Sequence, residues 1–244
     1  MGGAERAGRD APVRSDVLKG ISKRAGVPHL FVFDRDERSE VEIRKVKDAL
    51  GGQVHFLGMR ELENYLLAPR AILEVLRTKY RDDAAVRERI EKLTEAETLE
   101  VIGKTADGLY GLVLLKRIRV TLGGLIGGLL PRDIVGVLAP TAKEASLAQL
   151  VRQQVEERLQ KRMKELDIEN VVTEERTKLD AQWVDRDTHV RLAPGEEILT
   201  AVFRSVGGEY AKPEDTERIA RHMVADEISG ELKEVIERIV SSAR

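Results

Sequence analysis

Apolar positions change their spacing along this chain, and the changes mark its elements. Val13, Val17, Leu18 and Ile21 recur at helical spacing, and Gly26-Val27-Pro28 stops that run. His29–Phe33 is a compact apolar run ending at Asp34, the pattern of a buried strand. Glu40–Leu50 returns to helical spacing, Gly51-Gly52 breaks it, and Gln53–Leu57 is a second buried run. Strand, helix, strand with short joints predicts a βαβ unit, so the two strands should be parallel.

After Gly58 helical patterns take over. Glu61–Leu67 is predicted to be helical, with Leu62, Tyr65 and Leu66 on one face and Glu63 off it. Pro69 suits the first turn of a further helix through about Tyr80. Thr94-x-x-Glu97 and Thr141-x-x-Glu144 both fit the capping box, in which hydroxyl and carboxylate satisfy backbone donors reciprocally. Leu147, Leu150, Val151, Val155, Leu159, Met163 and Leu166 form one apolar stripe of a long helix. Ile168–Thr173 and Thr188–Leu192 are predicted as short strands, and two or three helices close the chain. The last of these is amphipathic through Leu232, Val235, Ile236, Ile239 and Val240. The expected class is α/β: a partial parallel sheet with a large helical insertion and C-terminal helices. The expected parts are a core at residues 1–81, a helical insertion at 82–167, and a segment at 168–244 that returns to the core.

Composition narrows the chemistry. The chain has 244 residues, enough for a sizeable core, and 42% of them are hydrophobic, too many for a wholly disordered chain. There is no cysteine, which excludes disulfides, zinc-thiolate sites, iron–sulfur clusters and thiol nucleophiles. Lys+Arg (41) nearly balance Asp+Glu (43), so any nucleic-acid affinity would need a local basic groove. Aromatics at 4% argue against base-stacking platforms. Val120–Leu130 is far shorter than the roughly 20 residues of a membrane span. The N-terminus lacks the apolar core of a secretory signal, so the expected address is the cytoplasm.

Gly123-Gly124-Leu125-Ile126-Gly127-Gly128 is glycine-rich but lacks the lysine and hydroxyl of a phosphate-binding P-loop. It is assigned to packing or a hinge, and no ATPase site is expected in this chain. His29, His55, His189 and His222 show no metal-ligand spacing, and Ser22, Ser39 and Ser146 lack the G-x-S-x-G setting of a serine hydrolase.

The carboxylates carry the strongest signal. Phe31-Val32-Phe33-Asp34-Arg35-Asp36-Glu37-Arg38 places two acids just beyond a buried strand. The carboxyl ends of strands in an open parallel sheet face the ligand crevice. Hard divalent cations want carboxylate oxygens. The competing account is a solvated loop whose acids pair with Arg35 and Arg38. Arg60-Glu61-Leu62-Glu63-Asn64-Tyr65-Leu66-Leu67 follows the second strand and so falls at the same sheet edge. Glu61 and Glu63 there either complete a Mg²⁺ cluster with Asp34 and Asp36 or simply favour a helix N-terminus.

A strand ending in Asp34-Arg35-Asp36-Glu37-Arg38, then a strand leading into RELENYLL with Pro69 and Ala71-Ile72 after it, resembles the toprim domain of OLD-family (overcoming lysogenization defect) nucleases. Ala193-Pro194-Gly195-Glu196-Glu197-Ile198-Leu199, with Arg218-Ile219-Ala220 and a closing helix, resembles the end of that domain. The resemblance implies a toprim-like core and Mg²⁺- or Mn²⁺-dependent cleavage of DNA phosphodiester bonds. Asp34, Asp36 and Glu63 would be catalytic, and Asp34, Asp36, Glu61 and Glu63 would bind metal. It also implies an ABC-type ATPase as partner, in one longer chain or a separate one, and leaves self-association open. Two departures stand out. No glutamate strand precedes the Asp34 strand, and Glu196 stands where the family often has the lysine of Pro-Gly-Lys. Two other classes therefore stay open. One is a non-catalytic regulatory or assembly module with the same fold. The other is a haloacid-dehalogenase-like phosphatase with Asp34 as nucleophile and Asp36 as general acid, though Glu37-Arg38 departs from its D-x-D-x-[TV] pattern.

Overall fold

The computed structural model describes residues 30–36, 38, 40–126, 156, 157, 160, 161, 164 and 166–242. Two compact units divide the chain. One is formed by residues up to Ala106 together with those from Val190 onward, and the other by Asp107–His189.

The first unit opens with β1 (Phe31–Phe33), α1 (Glu40–Leu50), a 3₁₀ turn (Gly51–Gln53) and β2 (Val54–Phe56). The strands pair in parallel, with Phe31 opposite Val54, Val32 opposite His55 and Phe33 opposite Phe56. This is the βαβ unit that the hydrophobic pattern predicts. Period-two alternation sends Phe31, Phe33, Val54 and Phe56 to one face, where they pack with Ile43, Val46 and Leu50 of α1. Phe33 and Phe56 stack with ring centroids 5.3 Å apart. Gly51 supplies the left-handed backbone (φ 59°) that lets the chain leave α1 and re-enter the sheet.

Helices account for the rest. α2 (Pro69–Lys79) starts at the proline, and Ala71, Ile72, Leu73, Val75 and Leu76 are buried along it. α3 (Ala84–Glu91) is capped by Asp83, whose carboxylate accepts from the N–H of Ala85 and Val86. α4 (Glu95–Gly108) begins at the expected capping box: Glu97 Oε2 accepts from Thr94 N at 2.8 Å, and Glu97 N donates to Thr94 Oγ1 at 3.2 Å. α5 (Tyr110–Ile126) and α6 (Ile168–Asp180) pack together in the second unit. α7 (Arg186–Leu192) follows. α8 (Gly195–Ser205), α9 (Glu214–His222) and α10 (Gly230–Ser242) close the chain. α9 packs along α2, where Ile219 is fully buried.

Two expectations are corrected. Ile168–Thr173 and Thr188–Leu192 are not strands but lie in α6 and α7. Local capping decides both: Asp167 accepts from Asn170 N at 2.9 Å, and Asp185 accepts from Thr188 N at 2.8 Å. Glu61–Leu67 is not a helical face of Leu62, Tyr65 and Leu66 but a 3₁₀ turn (Leu62–Leu66), in which Leu62 is exposed while Glu63 and Asn64 are buried. Gly123 lies in α5, and a methyl group there would meet nothing within 4 Å, so close packing does not explain it. The second capping box at Thr141 and most of the Leu147–Leu166 stripe lie outside the described residues. Among the described residues no helix is long and apolar enough to cross a membrane.

Candidate functional site

Parallel pairing puts the ends of β1 and β2 on one edge, and the two acidic segments meet there. Asp34 follows β1, and its Oδ1 accepts the backbone N–H of Leu62 at 2.9 Å. Asp36 N donates to Arg60 O at 2.9 Å. Asp36 has φ 43°, a left-handed backbone that Asp tolerates better than most residues. Two hydrogen bonds thus lock the DxD loop onto the segment after β2. The sequence predicted this shared edge, and the structure brings Asp34, Asp36, Glu61 and Glu63 to it.

Burial differs sharply among the four acids. Asp34 and Asp36 are half-buried, whereas Glu61 is 5% exposed and Glu63 is 4% exposed. A buried carboxylate needs a counter-charge or hydrogen bonds. Glu61 Oε1 lies 3.6 Å from Arg60 Nε, while its Oε2 is buried with no hydrogen-bond partner among the described residues. Glu63 is ion-paired with the ammonium of Lys212, which also lies 3.3 Å from Glu196 Oε2. Burial pushes the Asp34 carboxyl above its ordinary value. The Leu62 N–H opposes this, and the charges of Asp36, Glu63 and Glu61 add to the rise.

The turn that carries these acids is clamped by residues some 130 positions further along. Asn64 Oδ1 accepts from Glu61 N at 3.0 Å, and its Nδ2 donates to Val190 O at 2.6 Å and Ala193 O at 2.9 Å. Arg60 N donates to Arg191 O at 3.1 Å, and Arg60 Nη1 to Leu192 O at 3.3 Å. Gly195 then lies against the Glu63–Asn64 peptide so closely that a Cβ would fall 2.6 Å from Asn64 N and 2.7 Å from Glu63 C. The RELENYLL segment and the Ala193-Pro194-Gly195-Glu196 segment are therefore in direct contact.

Sequence reasoning missed Lys212, Asn64 and Asp215. Lys212 lies on a turn closed by fully buried Asp215, whose Oδ2 accepts from Ala211 N at 2.7 Å and from Lys79 Nζ at 2.6 Å. No local pattern flags a lysine that acts across the fold. The sequence signal available was the Pro213-Glu214-Asp215 helix start beside it.

Another carboxylate ties α10 to the sheet. Glu231 Oε1 accepts from Gly58 N at 2.8 Å and lies 2.9 Å from His55 Nε2, while Tyr65 OH donates to Oε2. Burial raises the Glu231 carboxyl, but bonds from Tyr65, His55 and Gly58 outweigh it and hold the group below its ordinary value. Burial and the neighbouring Glu231 push the Tyr65 hydroxyl up to about 12.

The donor chemistry of the sheet edge, carboxylates with one buried oxygen left unpartnered, fits a hard divalent cation. Among the described residues no group of three or more His, Asp or Glu side chains converges to hold a metal ion. Comparison with family models, curated proteins and solved structures finds no match for the chain.

Proposed function

We propose that this chain is a toprim-type domain that uses a divalent cation, Mg²⁺ or Mn²⁺, to cleave DNA phosphodiester bonds. One observation carries the reading: the DxD loop is hydrogen-bonded onto the segment bearing Glu61 and Glu63, with a buried Glu61 oxygen left without a partner. Asp34 and Asp36, half-buried at the strand ends, would hold the ion with water completing its shell. The ion supplies a polarised phosphate and an activated water. The chain's own residues orient it: Leu62 N–H fixes the Asp34 carboxylate, and Arg60 O fixes the Asp36 backbone. An ATPase of ABC type is the partner that this reading entails.

A second reading rests on a specific observation as well. Arg60 lies beside Glu61, and Lys212 pairs with Glu63, so half of the cluster is neutralised from within. A non-catalytic assembly module that keeps the fold would look like this. Incubating the full chain with supercoiled plasmid and Mg²⁺ or Mn²⁺ separates them. The nuclease reading expects metal-dependent nicking that Asp34→Ala removes. Nicking that survives Asp34→Ala refutes the site, absence of both nicking and metal binding favours the module, and phosphate-ester hydrolysis without nicking favours the phosphatase.

A further inference from the structure

We infer that the Gly58–Met59 turn, together with His55 and Tyr65, forms a binding site for an oxyanion, the carboxylate or phosphate group of a ligand, and that the side chain of Glu231 occupies it as an internal stand-in. The site uses none of the four acids at the sheet edge, so it goes beyond the proposed cleavage chemistry and is independent of it.

Donors from β2, the turn after it and the 3₁₀ turn converge on one carboxylate. Gly58 N donates to Glu231 Oε1 at 2.8 Å, His55 Nε2 lies 2.9 Å from the same oxygen, and Tyr65 OH donates to Oε2. Arg238, which can only donate, has its Nη1 3.5 Å from His55 Nδ1, so Nδ1 accepts and Nε2 carries the proton aimed at the carboxylate. The carboxylate lies over the bare Cα of Gly58: a Cβ there would fall 2.8 Å from Oε2 and 3.4 Å from Cδ. A backbone N–H beside a glycine Cα is a common way for a turn to approach the oxygens of an anion closely. Burial by itself would raise the Glu231 carboxyl, yet the bonds from Tyr65, His55 and Gly58 hold it below its ordinary value, so the donor set favours a negative charge.

The donors are placed without help from Glu231. Leu57 N donates to Phe33 O at 3.0 Å, which fixes the start of the turn to β1. Tyr65 is 4% exposed, and its hydroxyl oxygen accepts from Gly58 N and Met59 N, each at 3.0 Å, which leaves its proton for an acceptor. The turn follows β2, at the carboxyl end of the strand, where open parallel sheets receive ligands. Glu231 is less constrained. It is the second residue of α10 and its side chain is 30% exposed, so it can swing into solvent while Val235 stays buried. An incoming oxyanion then takes over the same three bonds. Glu231 sets the threshold for that exchange, because the ligand competes with a carboxylate tethered at the site.

Thermal unfolding of the full chain in sodium acetate or sodium phosphate, against sodium chloride at matched ionic strength, tests this. Glu231→Ala empties the site, and its unfolding midpoint should rise saturably with one anion or both, by about 3–6 °C at tenfold the Kd. The wild-type chain, with the site filled, should show no saturable rise over the same range. Adding Gly58→Ala to Glu231→Ala puts a methyl group where the carboxylate lay and should abolish the rise. Gly58 has an ordinary φ, so that substitution carries no left-handed strain of its own. A rise with either anion supports the site, and the anion that binds tighter names the group it takes. Circular dichroism checks folding, and should Glu231→Ala misfold, Glu231→Ser is read in its place. An equal rise in the wild-type chain, a rise that survives Gly58→Ala, or no rise beyond that in chloride in the folded Glu231 variant overturns the inference.

Discussion

Gly195 offers the sharpest test of how the acidic turn is held. Its backbone has an ordinary φ, so replacing it with Ala adds a methyl group and no conformational penalty of the left-handed kind. That methyl would lie 2.6 Å from Asn64 N, 2.7 Å from Glu63 C and 2.9 Å from Glu63 Cβ. Ordinary contact begins near 3.4 Å, so the turn or α8 must retreat by about 0.5–0.8 Å. Two of the three obstructing atoms are backbone, and the turn cannot yield by a rotamer change. Overpacking of this kind costs about 1–3 kcal/mol. Ala gains at most about 1 kcal/mol in helix propensity, and less at the first residue of a helix. Gly195→Ala should therefore lose about 1–2 kcal/mol in urea denaturation and melt about 2–8 °C lower. Gly111, in the first turn of α5, is the control, because a methyl group there meets nothing within 4 Å. Gly111→Ala should be neutral or gain a few tenths of a kcal/mol, up to about 1. A Gly195→Ala chain as stable as the wild type would show that α8 does not clamp the turn, and the positioning argument for Glu63 would fall with it.

Two further outcomes follow from carboxylates pushed in opposite directions. Asp34 titrates above its ordinary value, so the folded state binds its proton more readily than the unfolded state, and its ionised form opposes folding at neutral pH. Asp34→Asn keeps an oxygen for Leu62 N–H and should be more stable than wild type above pH 6, with the advantage shrinking as pH falls toward about 4; a less stable variant would contradict the assignment. Glu231 is held below its ordinary value, so its contribution is present above the unfolded value and is lost as pH falls through the folded one. Glu231→Gln should cost about 1–3 kcal/mol at pH 7 and should flatten the acid limb of a pH–stability profile, since Tyr65 OH would then lack its carboxylate acceptor; equal acid limbs in both chains would count against a stabilising role for the Glu231 carboxylate.

Much of the first unit was legible because its signals are local. The Phe31–Phe33 run, the period of Glu40–Leu50 and the Gly51-Gly52 break each act within a few residues, and the parallel pairing follows from their order. The same logic placed Asp34 and Glu61–Glu63 on one edge. It failed at Ile168 and Thr188 because single capping aspartates outweighed a strand-like composition. It failed again at Leu62–Leu66, where periodicity assigned an apolar face that the tertiary clamp of Asn64 and Gly195 overrides. A carboxamide that bridges to carbonyls 126 and 129 residues away leaves no periodic trace in sequence.

The two departures from the toprim-like pattern look different once charges are counted in space and not along the chain. Glu196, standing where a lysine is common in that family, does not add an unopposed negative charge beside the cluster. It shares the ammonium of Lys212 with Glu63, and that ammonium arrives from the turn before α9, sixteen residues away. The cluster therefore holds a fixed cation between two acids. That cation is firmly positioned, because fully buried Asp215, which closes its turn, is pinned by Lys79. Among the described residues the sheet has two strands. Parallel sheets ordinarily have both faces covered and further strands beside them. Val32, on the face of β1 away from α1, is 40% exposed, an amount unusual for an inner strand of such a sheet.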